Sequence, residues 1–256
     1  MAARSLLRVS VTVPPAEAER ARAIMLELFP QGFEEREGVD GVELAAYTDS
    51  AGEERLWSAF GGARSTEVEE DWEDRWRAFH RPVRVGPLWI GPPWETADEG
   101  SLAVVVDPGR AFGTGGHATT RLCLELLLEV PRGSLLDVGC GSGVLSIAAV
   151  KLGFEPVLAI DLDPQAIEAT ARNAEANGAA VEARLADAFT DPLPAVDIAV
   201  VNIALEVDRS VSDRLRCEWL VTSGYLAAEA PDLDGFGRED RREAEGWAAD
   251  LHRRTQ

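Results

Sequence analysis

The run Leu135-Leu136-Asp137-Val138 leads straight into Gly139-Cys140-Gly141-Ser142-Gly143, and a helical pattern follows. A short apolar strand, a turn with glycine at alternate positions and a helix N-terminus form a geometry in which backbone passes close to a nucleotide-like ligand. The spacing is Gly-x-Gly-x-Gly. The dinucleotide fingerprint needs a small residue at position 144, where this chain carries Val144. A second apolar strand, Val157 to Ile160, ends in Asp161. A carboxylate at that strand tip can accept hydrogen bonds from both hydroxyls of a ribose. The glycines alone would say little, because a Gly-rich turn is often only a turn. A glycine loop that lacks the last dinucleotide glycine, joined to an acidic second strand, points to S-adenosylmethionine rather than NAD.

The chain around this loop alternates strands and helices, the pattern of a parallel, doubly wound sheet. A strand over 134–138 precedes a helix over 143–152, closed by Gly153. A strand over 156–161 precedes a helix with Asp163 as N-cap, Pro164 at its first position and Asn177-Gly178 at its end. Strand 181–185 leads to Asp187, and the apolar strand 196–201 ends in Asn202. Thr222-Ser223-Gly224 reads as a turn before a strand from Tyr225 to Ala228, and Trp247 to His252 as the last strand.

The first part of the chain has another order. Val9, Val11 and Val13 alternate with Arg8, Ser10 and Thr12, the signature of a half-buried strand. Pro14 and Pro15 open a helix with Ala21, Ile24, Met25, Leu28 and Phe29 as its apolar stripe. Strands around 33–37 and 42–48, a helix carrying Leu56, Trp57 and Phe60, and a strand near 64–69 complete β-α-β-β-α-β, the ferredoxin-like order. The expected fold is therefore α/β: a doubly wound Rossmann-like sheet with a small N-terminal α+β ferredoxin-like domain. The expected division is 1–68, a connecting helix and linker over 69–100, and 101–256. The connecting helix carries Trp72, Trp76 and Phe79 on one face, a packing stripe. The first domain has no cluster of reactive side chains, so its role is recognition or docking, or that of a structural appendage.

Asp and Glu total 45 against 25 Lys and Arg, a net charge of −20. Such a surface repels phosphate backbones, so direct nucleic-acid binding is not expected, whereas a basic protein would be drawn in. The same charge also serves simple solubility. No apolar run reaches the ~20 residues that span a bilayer, and no secretory signal is expected from the pattern at the N-terminus. The three cysteines, Cys123, Cys140 and Cys217, suit neither a disulfide framework nor a metal cluster. A reducing cytoplasm is the expected compartment, and a monomer the expected state.

A longer segment narrows the reading. Asp107-Pro108-Gly109-Arg110-Ala111-Phe112-Gly113-Thr114-Gly115-Gly116-His117-Ala118-Thr119-Thr120 resembles the segment that marks ribosomal protein L-eleven (L11) methyltransferases. The pattern Phe-Gly-Thr-Gly-x-His-x-Thr-Thr is met at every fixed position. The resemblance extends to Asp71-Trp72-Glu73 with Trp76 and Phe79, to the glycine loop, to Asp161-Leu162-Asp163-Pro164 and to Asn202-Ile203. It implies a seven-strand S-adenosylmethionine-dependent methyltransferase acting on amino groups, lysines and the N-terminal amine, of ribosomal protein L11. It also implies roles. Phe112 to Gly115, with Thr114 among them, would lie over the methionine end of the cofactor. Thr119 and Thr120 would meet its carboxylate, and Gly139 and Gly141 would let backbone pass beneath it. Asp161 would hold the ribose and Asp187 would lie near the adenine. Asn202 would stand beside the transferred methyl as the catalytic side chain. His117 is expected to complete the hydrogen bonds of its loop rather than act as a base.

Methyl transfer to an amine asks mainly for orientation, because the sulfonium methyl is already activated. A lysine amine, with a pKa of ~10.4 in water, must lose a proton, and burial beside a positive sulfonium favours that loss. An amide such as Asn202 accepts a hydrogen bond without adding a charge that would retain the proton. Three places depart from the family. Ile203-Ala204-Leu205 stands where the family usually reads Ile-Leu-Ala, and Glu229-Ala230-Pro231 where it commonly has Ser-Gly-Ile. Pro231 to Asp234 then reaches Gly235-Phe236 directly, without the helix expected between them. The substrate-facing edge is thus expected to be altered, or the last strands to pack poorly. That leaves open a methyltransferase for another protein or a small molecule, or a non-catalytic cofactor-binding protein.

Overall fold

The computed structural model describes residues 7–29, 32–38, 41–67, 81–107 and 115–255. The chain forms two compact units, Met1–Phe79 and His80–Gln256. The expected connecting helix over 69–80 lies outside the described residues.

In the first unit, β1 (Leu7–Val13) is followed by α1 (Ala18–Leu28), β2 (Glu34–Gly38), β3 (Gly41–Thr48), α2 (Ser50–Phe60) and β4 (Arg64–Glu67). The sheet order is β2-β3-β1-β4, and each neighbouring pair is antiparallel. That is the ferredoxin-like arrangement. The alternation in β1 sends Val9 and Val13 inward, where they meet Leu44 and Val42 of β3 and Met25 and Leu56 of the helices. Burying side chains of this size stabilises by ~1.5–3 kcal/mol each. α2 is capped at both ends. The Asp49 carboxylate accepts from the amides of Ala51 and Gly52, and Gly61 closes the helix at φ 70°.

The second unit opens with β5 (Val83–Val85), β6 (Leu88–Gly91) and β7 (Leu102–Val105), a small three-stranded sheet. The stretch 81–100, read from sequence as linker, is thus built into this unit, with Val85, Leu88 and Ile90 in its main core. Next come α3 (Ala118–Glu129), β8 (Leu135–Val138), α4 (Val144–Lys151), β9 (Val157–Asp161), α5 (Pro164–Ala176), β10 (Val181–Leu185), β11 (Ile198–Asn202), α6 (Leu205–Ser212), β12 (Trp219–Leu226), β13 (Phe236–Ala244) and β14 (Trp247–Arg254). The large sheet has the order β10-β9-β8-β11-β12-β14-β13. Its first five strands are parallel, and β14 runs antiparallel to both β12 and β13. From β8 the chain winds outward to β9 and β10, then returns to β11 on the other side. The switch of direction lies between β8 and β11, the crevice where open sheets of this kind bind ligands.

α4 is mostly apolar and is buried from Val144 to Ala149, as a helix without a polar face must be. One face of the sheet packs on α3, α4 and the small sheet, with Leu124, Ile147, Val200 and Val221 at its centre. The other face packs Val138, Val201 and Leu220 against Val211 of α6, Leu233 and Phe236.

Two features differ from the expected elements. Thr222-Ser223-Gly224 is no turn. β12 begins at Trp219 and runs through these residues, with a register shift between Ser223 and Tyr225. A bulge and a turn both recruit glycine, here at φ +100°. β13 was not expected at all, because Arg238-Glu239-Asp240-Arg241-Arg242-Glu243 has no apolar alternation. It is an edge strand, where charged side chains guard against further pairing. No helix lies between β12 and β13, yet β13 and β14 pair from Phe236↔Arg254 to Ala244↔Trp247. Among the described residues, no helix is long and apolar enough to cross a membrane.

Candidate active site

The carboxyl ends of β8, β9, β10 and β11 form one rim of the sheet. The glycine loop leaves β8 there, Asp161 ends β9, Asp187 follows β10 and Asn202 ends β11. α3 starts at the same rim, because the His117 ring stands 4.9 Å edge-on to Trp247, whose strand partner is Leu226.

The glycine loop is held by its own backbone. Gly139 and Cys140 donate to Ile160 O at 2.8 and 3.1 Å, and Gly143 donates to Cys140 O at 2.8 Å. Gly139, Gly141 and Gly143 have φ of +73°, +54° and +81°, a region costly for any residue with a Cβ. A Cβ on Gly139 would stand 2.5 Å from Ile203 Cδ1, so the loop after β11 lies over the loop after β8. These two loops flank the topological switch.

Asp161 links the loop to the second strand. Its Oδ2 accepts from Gly141 N at 3.0 Å and its Oδ1 from Asp163 N at 2.9 Å. Each oxygen keeps a lone pair for a further donor. The two amides fix the plane of the carboxylate, so its free lone pairs are already aimed. Small loop residues beneath and a preset bidentate acceptor beside them suit a ribose with vicinal hydroxyls. Among the described residues, no cluster of His, Cys, Asp and Glu could hold a metal ion.

The other sequence-predicted residues divide. Phe112 and Thr114 lie outside the described residues. Gly115, next along, packs against Ile90 and against Val144, the first residue of α4, so Gly115 itself lies close to the end of the glycine loop. Thr119 and Thr120 are buried in the first turn of α3. The Thr119 amide donates to His117 Nδ1 at 3.4 Å, and the Thr119 hydroxyl lies 2.8 Å from the same nitrogen. His117 therefore caps α3, and burial lowers its pKa. Asp187 spends its carboxylate on its own turn, accepting from Phe189 N at 2.8 Å and the Thr190 hydroxyl at 3.0 Å. Asn202 is half-buried, and its amide makes no hydrogen bond to the described residues.

Sequence reading missed the layer beneath. Thr170 donates to Gly141 O at 3.1 Å, Asn173 donates to Ser142 O at 2.9 Å, and Asn177 bonds both backbone groups of Val105. The signal was present: Thr170 and Asn173 of α5 and Asn177, its C-cap, are polar residues at helical spacing. Asp137, wholly buried at the end of β8, accepts from the Ser146 hydroxyl at 2.5 Å. Burial pushes its pKa up to about 6.

Comparison with known proteins gives the same picture. The sequence profile of the family described as ribosomal protein L11 methyltransferase matches residues 13–248. A ribosomal protein L11 methyltransferase of Shewanella pealeana is 35% identical, with 91% of each chain covered. One of Symbiobacterium thermophilum is 39% identical over 72% of this chain and 66% of its own. A crystal structure of ribosomal protein L11 methylase from Lactobacillus delbrueckii subsp. bulgaricus superposes with a TM-score of 0.61 at 27% identity, covering 69% of this chain and all of that one.

Proposed function

This chain belongs to the ribosomal protein L11 methyltransferase family, and on that premise we propose that it methylates amino groups of ribosomal protein L11. The observation that carries the reading is the pairing of Asp161 with the Gly141 amide at the end of β9, across the switch point from an unengaged Asn202. S-adenosylmethionine, when bound, supplies an activated methyl group on a sulfonium.

The residues of the chain supply position. Asp161 presents its preset lone pairs to the ribose hydroxyls, and Gly139 and Gly141 admit backbone contact beneath. Thr119 and Thr120 stand at the N-terminus of α3, where the helix favours a carboxylate. Asp187, whose carboxylate holds its own turn, would lie near the adenine. The Asn202 amide oxygen accepts a hydrogen bond from the target amine and aims its lone pair along the transfer axis. Its neutrality leaves the amine free to lose its proton.

A net charge of −20 favours a basic protein over nucleic acid as partner. The first unit, with a fold of its own, is read as the recognition domain. A protein that meets ribosomal protein is expected in the cytoplasm, acting as a monomer. Labelled S-adenosylmethionine incubated with the enzyme and purified ribosomal proteins tests the assignment. Label on L11 is expected; label confined to another protein or to small molecules would overturn it.

A further inference from the structure

Residues 227–235 join β12 to β13 without a helix, and one side chain ties this crossing down. Arg241 of β13 donates from Nη2 to the carbonyls of Ala227 at 2.7 Å and Glu229 at 2.8 Å. Its Nη1 donates to Asp250 Oδ2 at 2.9 Å, and its Nε to Glu243 Oε1 at 2.6 Å. Asp250 is fully buried on β14. The same Oδ2 accepts from the Tyr225 hydroxyl at 2.8 Å. Tyr225 lies 2.8 Å from Thr222 Oγ1, which meets His252 Nε2 at 3.0 Å. One planar fork therefore joins the outgoing end of β12 to β13 and β14.

The strand that leads into this turn passes the proposed transfer site. Ser223 is the strand partner of Asn202, and Gly224 touches the backbone of Ile203. The Glu229 carboxylate accepts from Leu226 N at 2.8 Å, which closes the turn. Leu226 stays half exposed at its edge. A purely structural partner for Asp250 would need only one positive charge. Arg241 spends two further donors on carbonyls of this single turn, which a lysine could not do while also reaching Asp250.

We propose that Arg241 is a positioning residue for the protein substrate: it fixes the 226–229 turn as the wall beside which the target amine is laid. The substrate role rests on the function proposed above; the clamp itself does not. Among the described residues, Arg241 hydrogen-bonds none of those assigned to the cofactor, so substrate binding and cofactor binding separate in the test.

Full-length Arg241→Lys keeps a charge for Asp250 and loses the fork. Glu229→Ala loosens the same turn from the surface and leaves the buried network intact, so it decides the matter if the lysine variant does not fold. Amide exchange over 226–230 is expected to quicken about tenfold in Arg241→Lys, with 139–143 unchanged. KM for the ribosomal protein is expected to rise about fivefold, with kcat and S-adenosylhomocysteine affinity held within about twofold. Glu229→Ala should raise KM in the same direction by less. Quickened exchange with unmoved KM would overturn the substrate role, and unmoved exchange would overturn the clamp. A parallel loss of KM, cofactor affinity and melting temperature would also overturn it, as the mark of a merely structural residue. A wild-type enzyme that methylates no ribosomal protein sinks the assigned function and the substrate role with it. A methylating wild type with unmoved KM in the variants sinks the role alone.

Discussion

The backbone of Ile203 crosses Gly224 so closely that a Cβ on Gly224 would stand 2.6 Å from the carbonyl carbon and oxygen of Ile203. The residue after Asn202 is thus pinned to β12 by main chain. On its other side Ile203 covers Gly139, but there the near atoms are Cδ1 and Cγ1, which can swing away.

The contrast predicts unequal effects. Gly224→Ala forces backbone apart at φ +100° and should cost ~1–3 kcal/mol of stability. It should also displace Asn202 and lower turnover. Gly139→Ala meets only a movable side chain, so its stability cost should be nearer ~1 kcal/mol, from its positive φ alone. Denaturant melts and turnover of the two variants check the order. Equal losses would mean that the backbone contact at Gly224 holds nothing in place.

Asp161→Ala should weaken binding of S-adenosylmethionine or its demethylated product by ~1.5–3 kcal/mol, the range for hydrogen bonds to a charged acceptor. It also frees the Gly141 amide, so the loop should loosen with it. Asp161→Asn keeps one acceptor oxygen and should fall between. Calorimetry that found no binding to the wild type, or binding of NAD instead, would remove the assignment.

Asn202→Ala should lower turnover more than cofactor affinity, because its proposed contact is with the reacting amine. Its side chain bonds no described residue, so the fold should lose little. Single-turnover rates beside cofactor titrations separate the two effects, and an unchanged rate would take Asn202 out of the mechanism.

Much of this site was legible because strand, glycine turn and acidic strand tip are short-range patterns. Gly139, Gly141, Asp161 and Asn202 all stand at ends of strands that apolar runs announce. The ferredoxin-like order was legible for the same reason, since β1 alternates and α1 carries a clean stripe. Three things were not. β13 is charged and sits at an edge, so no buried face left its mark. Gly224 serves a bulge but looks like a turn. The polar stripe of Thr170, Asn173 and Asn177 supports loops far away in sequence, which only the fold brings within reach. The missing helix between β12 and β13 was legible as a gap.

Asp208 on α6 makes a pH prediction. It is fully buried, and among the described residues neither of its carboxylate oxygens has a hydrogen-bond partner. Burial first, then the charges of Asp250 and Glu206, push its pKa up to about 9. An unfolded aspartate titrates near ~3.9, so between that pH and about 9 the folded state holds a proton that the unfolded state has lost. Stability contributed by this group therefore falls as pH rises through that window. Asp208→Asn cannot ionise and should be more stable than the wild type at pH 7, by on the order of 2 kcal/mol. Its gain in melting temperature should grow from pH 5 to pH 8, a range set by the raised pKa. Parallel melting curves across that range would show that Asp208 ionises freely in the folded state.

The first unit offers a test of recognition. It has its own sheet and its own core around Met25, Leu44 and Leu56, and among its described residues no His, Cys, Asp and Glu cluster that could hold a metal ion. If it recognises the substrate, a chain beginning at His80 should still bind S-adenosylhomocysteine, because the glycine loop, Asp161 and their supports on α5 all lie in the second unit. The same chain should lose most activity on intact L11 yet keep more of it on a short lysine peptide, which needs no docking. Steering of a basic protein by an acidic enzyme adds a second expectation. The full-length enzyme should lose efficiency on L11 as salt shortens the screening length from ~10 Å at 0.1 M to ~3 Å at 1 M. The peptide, with fewer charges, should lose less. Catalytic efficiency on L11 that survives the truncation would make the first unit an appendage and turn attention to a smaller substrate.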